Sequence, residues 1–222
     1  MVKAIAVGPS TVDLSAALDG GLCLVRIPKG SLGEDTTRLL GSLIVARVWQ
    51  ATTARAALAQ RQRRDASLYV DEAHNFLNLP YAMEDMLAEA RGCRLSMTLA
   101  HQHLGQLGKD LKEGISTNAR SKILFNASPE DARELARHTA PRIGEHDLAH
   151  LGVFHAAVRL VVGGEETQPF TVTTEPLPPA IRGRARLVRK TAARHTRPLS
   201  ASAEGRDASG PDDTGTDPRR AT

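Results

Sequence analysis

The stretch Leu68-Tyr69-Val70-Asp71-Glu72-Ala73-His74 restricts what this chain can fold into more than any other. Three apolar residues run straight into two adjacent carboxylates. A short run of this kind predicts a buried strand of a parallel sheet, and acids placed where it ends sit at the sheet's carboxyl edge. In open α/β sheets that edge is where ligands bind. Two readings fit the pair. In one, the first acid helps hold Mg²⁺ while the second orients an attacking water. In the other, the carboxylates simply favour the positive end of a helix that follows the strand.

Flanking patterns predict strand and helix in alternation. Residues 1–19 are weakly patterned. Gly20-Gly21 leads into an expected strand at Leu22-Cys23-Leu24-Val25-Arg26-Ile27, stopped by Pro28. A helix is expected from about Asp35 to Arg64, with Leu40, Ile44, Val48, Ala51 and Leu58 as its apolar stripe and Trp49 packing beside it. After the acid pair come a loop, a helix from about Tyr81 to Arg91, and a second strand, Leu95 to Ala100, which ends in His101-Gln102-His103. A short helix near Asp110–Asn118 precedes a strand at Lys122–Asn126. Ser128 then caps a helix with Pro129 in its first position, ending near His138. This alternation from 22 to 138 argues for βαβ units around a parallel sheet. From His155 to Val162, through Gly163-Gly164, to Gln168–Thr174 the pattern becomes a β-hairpin added to that sheet. Pro176, Pro178 and Pro179 close the fold, so the expected organisation is a 1–19 lead, a 20–179 domain and a 180–222 tail.

Lys29-Gly30-Ser31-Leu32-Gly33 follows an expected strand and must be weighed as a phosphate loop. The phosphate-cradling pattern is G-x-x-x-x-G-K-[ST], with Lys after the last Gly. Here Lys precedes both glycines, which suits a tight strand-to-helix turn, and the pattern occurs nowhere else in the 222 residues.

Charge separates the tail from the domain. The net charge is +4, yet residues 180–222 alone carry ten Lys/Arg against five Asp/Glu, so the rest is near neutral. The tail's composition predicts disorder. Aromatics at 3% leave little for base-stacking platforms. No apolar run approaches the ~20 residues that span a bilayer, and Met1–Gly8 is too short for a signal peptide. A cytoplasmic protein is expected, with Cys23 and Cys93 as buried free thiols.

The order of acid pair, helix, Glu89-Ala90-Arg91-Gly92-Cys93-Arg94 turn, strand, then Leu99-Ala100-His101-Gln102-His103-Leu104-Gly105-Gln106-Leu107 resembles the C-terminal half of TraG/TraD-like conjugative coupling ATPases. These are the DNA pumps of type IV secretion, relatives of the FtsK–HerA motors, and the resemblance covers roughly residues 20–175. It implies an α/β, RecA-like, mostly parallel sheet flanked by helices, with the hairpin and tail appended. It also implies a hexamer using ATP and Mg²⁺ to move DNA, working with relaxosome or secretion-channel proteins at the inner face of the cell membrane. Asp71 then stands on the metal and cofactor, held to Mg²⁺ indirectly, and Glu72 on the hydrolytic water. Gln102 is the implied sensor beside the γ-phosphate. Arg120 is the candidate arginine finger and Arg137 its runner-up, against the plain reading of both as surface ion pairs.

The chain departs from that family in lacking its membrane-spanning segments, its first core strand and its phosphate loop. A back half of a motor is the expectation: truncated, split or decayed, and inactive by itself, with a separate chain supplying the phosphate-loop half in the split case. The alternative is a non-catalytic DNA- or partner-binding module. Arg182, Arg184, Arg186, Arg189 and Lys190 would then grip DNA, or an anionic membrane surface, through charge alone. Asp71-Glu72-Ala73-His74 also spells a DEAH-helicase motif, but that class's Ser-Ala-Thr is missing where Ala100-His101-Gln102 stands. His74, His101 and His103 lack a third ligand at zinc spacing and read as polar loop residues.

Overall fold

Ala66, Leu68 and Val70 alternate with Ser67 and Tyr69, as Leu95, Met97 and Leu99 do with Ser96 and Thr98. This period of two builds a parallel pair, β1 (Ala66–Val70) and β2 (Leu95–Leu99), in register from Ala66↔Leu95 to Val70↔Leu99. In the computed structural model, which describes residues 12–77 and 83–195, the apolar set faces a core and the other set faces out. The strands are thus covered on one face rather than both, and Tyr69 is 76% exposed.

The covering elements are α1 (Leu14–Leu18), α3 (Glu34–Ala54) and α4 (Met83–Ala90). Leu18, Val45, Val48, Trp49, Met86 and Ala90 form a core with Val70 and Leu95. Trp49 packs as expected, but the helix differs from the expectation in two ways. It stops at Ala54, where 3₁₀ turns over Arg55–Ala57 and Gln60–Gln62 replace its last part. Its buried face is Thr37, Gly41, Val45, Val48, Trp49 and Thr52, not the Leu40–Ile44–Leu58 stripe. Gly41 explains the rotation: a Cβ there would lie 2.0 Å from Phe76 Cδ1, so only glycine lets the ring this close. Below the helix, the Arg63 guanidinium donates to the carbonyls of Ala56, Leu58 and Gly92, tying the segment to the turn before β2.

The expected strand at Leu22–Ile27 is irregular and exposed, with Leu22 at 83% and Leu24 at 71%. High β-propensity is not enough without a neighbour to take the backbone N–H and C=O groups. Cys23 is exposed for the same reason, correcting the expectation of two buried thiols; Cys93 is buried, and both are free. The turn that follows is a four-residue helix, α2 (Lys29–Leu32).

Among the described residues parallel pairing is confined to β1–β2. β3 (Lys122–Leu124), β4 (His155–Arg159) and β7 (Phe170–Thr173) form an antiparallel sheet in the order β3-β4-β7. The C-terminal hairpin therefore exists, but joins β3 rather than β1–β2. A smaller hairpin, β5 (Val161–Val162) with β6 (Glu165–Glu166), turns through Gly163-Gly164 at φ of 61° and 92°. Against this sheet lie α6 (Pro129–Leu135) and α7 (Glu145–Ala149), with Ala132, Ile143, Leu148 and Ala157 as their core. Ser128 caps α6 as expected, its Oγ accepting from the Asp131 N–H at 3.3 Å. The Lys122 ammonium caps α5 (Lys109–Asn118), donating to the carbonyls of Ile115 and Ser116 at 3.2 Å and to that of Ala119.

All these elements belong to one compact unit, residues 13–178; Val12 and residues 179–195 belong to another. In the second, Arg184–Ala192 form a helix, α8, correcting the expectation of disorder from 180 onward for that stretch. Residues 196–222 lie outside the described residues, as do residues 1–11 and 78–82. Among the described residues no helix is long and apolar enough to cross a membrane.

Candidate functional site

Parallel pairing places the chain that leaves β1 beside the chain that leaves β2. The ladder continues one step past both strands: the Ala100 N–H donates to the Val70 carbonyl at 2.9 Å and the Ala73 N–H to the Ala100 carbonyl at 2.8 Å. Asp71 and Glu72 are thereby pinned opposite His101 and Gln102. The Glu72 backbone is left-handed, at φ 51° and ψ 47°, a conformation that costs a non-glycine residue about 1–2 kcal/mol. The Glu72 N–H donates to Asp71 Oδ1 at 3.0 Å, which fixes the first carboxylate against the turn.

The side chains then meet. The Gln102 amide donates from Nε2 to Glu72 Oε1. His74 Nδ1 lies 3.5 Å from the other oxygen, Oε2. His101 stands behind them, half-buried, its imidazole held below the ordinary value by burial, against the opposing pull of Asp131. The Nδ1 atoms of His74 and His101 are buried without hydrogen-bond partners. Asp131 reaches across from α6 to accept from the Leu104 N–H at 3.2 Å, with His103 Nδ1 3.6 Å away. A carboxylate on one strand end and an amide on the next therefore form one polar patch, braced by the first turn of α6.

The structure brings Asp71, Glu72 and Gln102 together, and leaves the other candidates elsewhere. Arg120 is held by Glu166, at 3.0 Å from Nε to Oε1, and by the Gly164 carbonyl. Arg137 donates to Ser116 Oγ at 2.8 Å. Lys29, from the glycine-rich turn, is 3.5 Å from Glu34. Arg182, Arg184, Arg186, Arg189 and Lys190 lie exposed on and just before α8 in the other compact unit. Sequence reasoning passed over His74 as a loop residue although it adjoins the acid pair. Asp131 carried no signal: it is 59 residues from Glu72 and reaches this patch only through tertiary packing.

The family described as the TraM recognition site of TraD and TraG matches residues 65–150. No curated protein sequence matches the chain. Among solved structures, the unbound bacterial conjugative coupling protein TrwBdeltaN70 superposes with a TM-score of 0.54 at 18% identity, covering 65% of this chain and 39% of that one. Plasmid coupling protein TrwB with ADP and Mg²⁺ gives 0.54 at 21%, covering 67% and 40%, and its complex with a non-hydrolysable GTP analogue gives 0.54 at 20% with the same coverage. The chain thus spans about two fifths of those proteins and shares the RecA-like fold of the part it covers.

Proposed function

We propose, from the match of residues 65–150 to the family described as the TraM recognition site of TraD and TraG, that this chain carries the hydrolytic half of a conjugation motor's nucleotide site. The observation that carries the reading is the Gln102–Glu72 hydrogen bond across adjacent parallel strand ends. Glu72 is the group that orients the attacking water, and the Gln102 amide holds its carboxylate, with His74 Nδ1 3.5 Å from the other oxygen. A charge or phosphate arriving near Gln102 competes for the amide that Glu72 now holds, so occupancy and carboxylate position are coupled.

Asp71 suits Mg²⁺ chemistry in part. One of its oxygens is committed to the Glu72 N–H, and the side chain is otherwise exposed. Among the described residues no three His, Cys, Asp or Glu side chains cluster as a metal cage. Mg²⁺ characteristically takes one or two carboxylates and fills its remaining positions with water and substrate phosphate. Asp71 would hold such an ion, which supplies neutralisation of phosphate charge. The G-x-x-x-x-G-K-[ST] pattern that binds β- and γ-phosphates is not among these 222 residues, and in this reading a complete site takes its cradle from another stretch of polypeptide. Arg120, in this reading, serves the site of a neighbouring subunit, and its pairing with Glu166 holds it ready. DNA is the cargo, ATP the fuel, and a TraM-type relaxosome protein the partner that the family description names.

A second reading rests on the same description: the segment acts as a partner-recognition module without hydrolysis. Free Mn²⁺, which needs no phosphate cradle, is the paramagnetic probe that separates the two. The motor reading expects amide resonances of residues 71–74 and 101–103 to broaden, and Asp71→Asn to abolish the effect. It also expects no ATP turnover by the chain alone that Glu72→Gln removes. Absence of broadening at these residues would overturn it in favour of the recognition module. Turnover lost in Glu72→Gln would place a phosphate cradle within this chain, at the Lys29–Gly33 turn.

A further inference from the structure

Away from the acid pair, residues from four separate stretches of chain line a cavity of about 530 Å³. Arg137 comes from the 3₁₀ turn after α6, Arg142 from the loop beyond it, Arg159 from the end of β4, and Thr167 and Gln168 from the approach to β7. Glu166 is the single acid on the wall. This volume lies within the ~300–1,000 Å³ typical of small-molecule sites.

The arginines are not spent on carboxylates in the usual way. Arg137 donates to the neutral Ser116 Oγ at 2.8 Å, and its nearest acid, Glu134, is 3.5 Å away and already paired with Lys112 at 2.8 Å. Arg142 donates to the neutral Gln168 Oε1 at 2.9 Å. Arg159 Nη1 is 3.1 Å from Glu166 Oε2, but that carboxylate is shared with Arg120, and Arg159 Nε is buried with no acceptor. Directly behind stands the buried Lys122 ammonium, committed to the end of α5. Four of these cations thus share two carboxylates, Glu134 and Glu166, while Arg142 and Lys122 are held by neutral acceptors. Surface arginines that face water need no partner, but a buried guanidinium N–H with none is costly.

We propose that this cavity is a binding site for a phosphoryl group, presented by a free nucleotide or by the backbone of a nucleic-acid strand. Guanidinium forks match phosphate oxygens two at a time, and a phosphate dianion supplies the two charges that the three wall arginines lack after Glu166. The neutral acceptors Ser116 and Gln168 preorganise Arg137 and Arg142 without consuming their charge. The site is independent of the Asp71–Glu72 patch and of any role assigned to it.

His138, on the same wall, supplies an internal reporter. Burial, reinforced by Lys122, Arg137 and Arg159 and only weakly opposed by Glu134, pushes its imidazole down to about 4. An anion among those arginines cancels part of this field and raises the titration midpoint.

The test uses the full chain with pyrophosphate as the probe, followed by calorimetry and by NMR titration of the His138 ring. One saturable site per chain and an upward movement of the His138 midpoint are expected. Arg142→Gln, at an exposed position, and Arg159→Gln should each weaken binding about tenfold or more, the scale of one charge-assisted hydrogen bond. Arg133→Gln, an exposed arginine of α6 outside the cavity, should not. Competition by a dinucleotide with an internal phosphodiester assigns the site to a nucleic-acid backbone; competition by AMP alone assigns it to a free nucleotide. The proposal is overturned if pyrophosphate does not saturate, if both cavity variants bind as well as the parent, or if the His138 midpoint stays put. It is equally overturned if a glutamate-rich peptide binds where phosphate does not, which would make the cavity a protein-docking site.

Discussion

Gly41→Ala isolates the contact that seats α3 against the segment carrying the acid pair. On helix propensity alone the substitution should stabilise, since Ala in a helix interior is worth about 1 kcal/mol over Gly. The structure sets an opposing term. The added methyl would lie 2.0 Å from Phe76 Cδ1, 2.6 Å from Cε1 and 2.8 Å from Cγ, so the ring as a whole, not one flexible end, must move. Phe76 is flanked by the buried Asn75 and Leu77, which limits where it can go. Overpacking of this kind costs roughly 1–3 kcal/mol, and the balance is a net loss of about 1 kcal/mol. Urea unfolding of parent, Gly41→Ala, Phe76→Leu and the double variant measures it. The smaller Leu should accept the methyl, so the double variant should show a favourable coupling of roughly 1 kcal/mol, within the range found for residues in contact. A Gly41→Ala protein as stable as the parent, or a coupling of zero, would show that the ring does not press on this helix.

Two further outcomes follow from the sheet around β3. His138 has a folded-state value of about 4 against an ordinary 6.5, so between those limits the unfolded chain binds more protons and stability falls as pH falls. The full linkage is about 3 kcal/mol; partial exposure of the ring reduces this to about 2. Urea midpoints at pH 7 and pH 4.5 should therefore drop more for the parent than for His138→Gln, and equal drops would assign the acid sensitivity to other groups. Ser128→Ala removes the acceptor for the Asp131 N–H and should cost about 1 kcal/mol. Because Asp131 also holds the Leu104 N–H, amide exchange at Leu104 should speed up with it; an unchanged rate would uncouple the cap from the Gln102 loop.

What the sequence made legible is whatever depends on local order. The strand end at Val70, the Ser128–Pro129 helix start and the Gly163-Gly164 turn are each written in neighbouring residues and found where the pattern puts them, and the second strand ends at Leu99, one residue before its expected end. The covering of β1 and β2 was misjudged for a similar reason. Leu68-Tyr69-Val70 looks continuous, but Ser67, Ser96 and Thr98 complete an alternation that already marks an outward face. The phase of α3 was not legible, because leucines outnumber glycine as core formers and nothing near Gly41 reveals that a ring 35 residues away needs its missing side chain. Leu22–Ile27 has the composition of a strand, but pairing belongs to two segments, and one segment's composition cannot supply the other.

The acid pair and the arginine cavity differ in the same respect. Asp71 and Glu72 are adjacent in sequence, and the one residue that must join them, Gln102, stands at the corresponding point of the next parallel strand. A parallel ladder makes that correspondence automatic, so two strand ends read from sequence are enough to predict the meeting. Arg137, Arg142 and Arg159 arrive from a 3₁₀ turn, a loop and an antiparallel strand, with no common period. Only the β3-β4-β7 sheet, packed against α6 and α7, sets them on one wall. Even the left-handed backbone at Glu72 follows from the ladder: the Ala73 N–H can reach the Ala100 carbonyl only if the chain turns sharply one residue earlier. That turn carries a local cost which the pairing on both sides offsets, and it aims the Glu72 carboxylate at the Gln102 amide rather than along the strand.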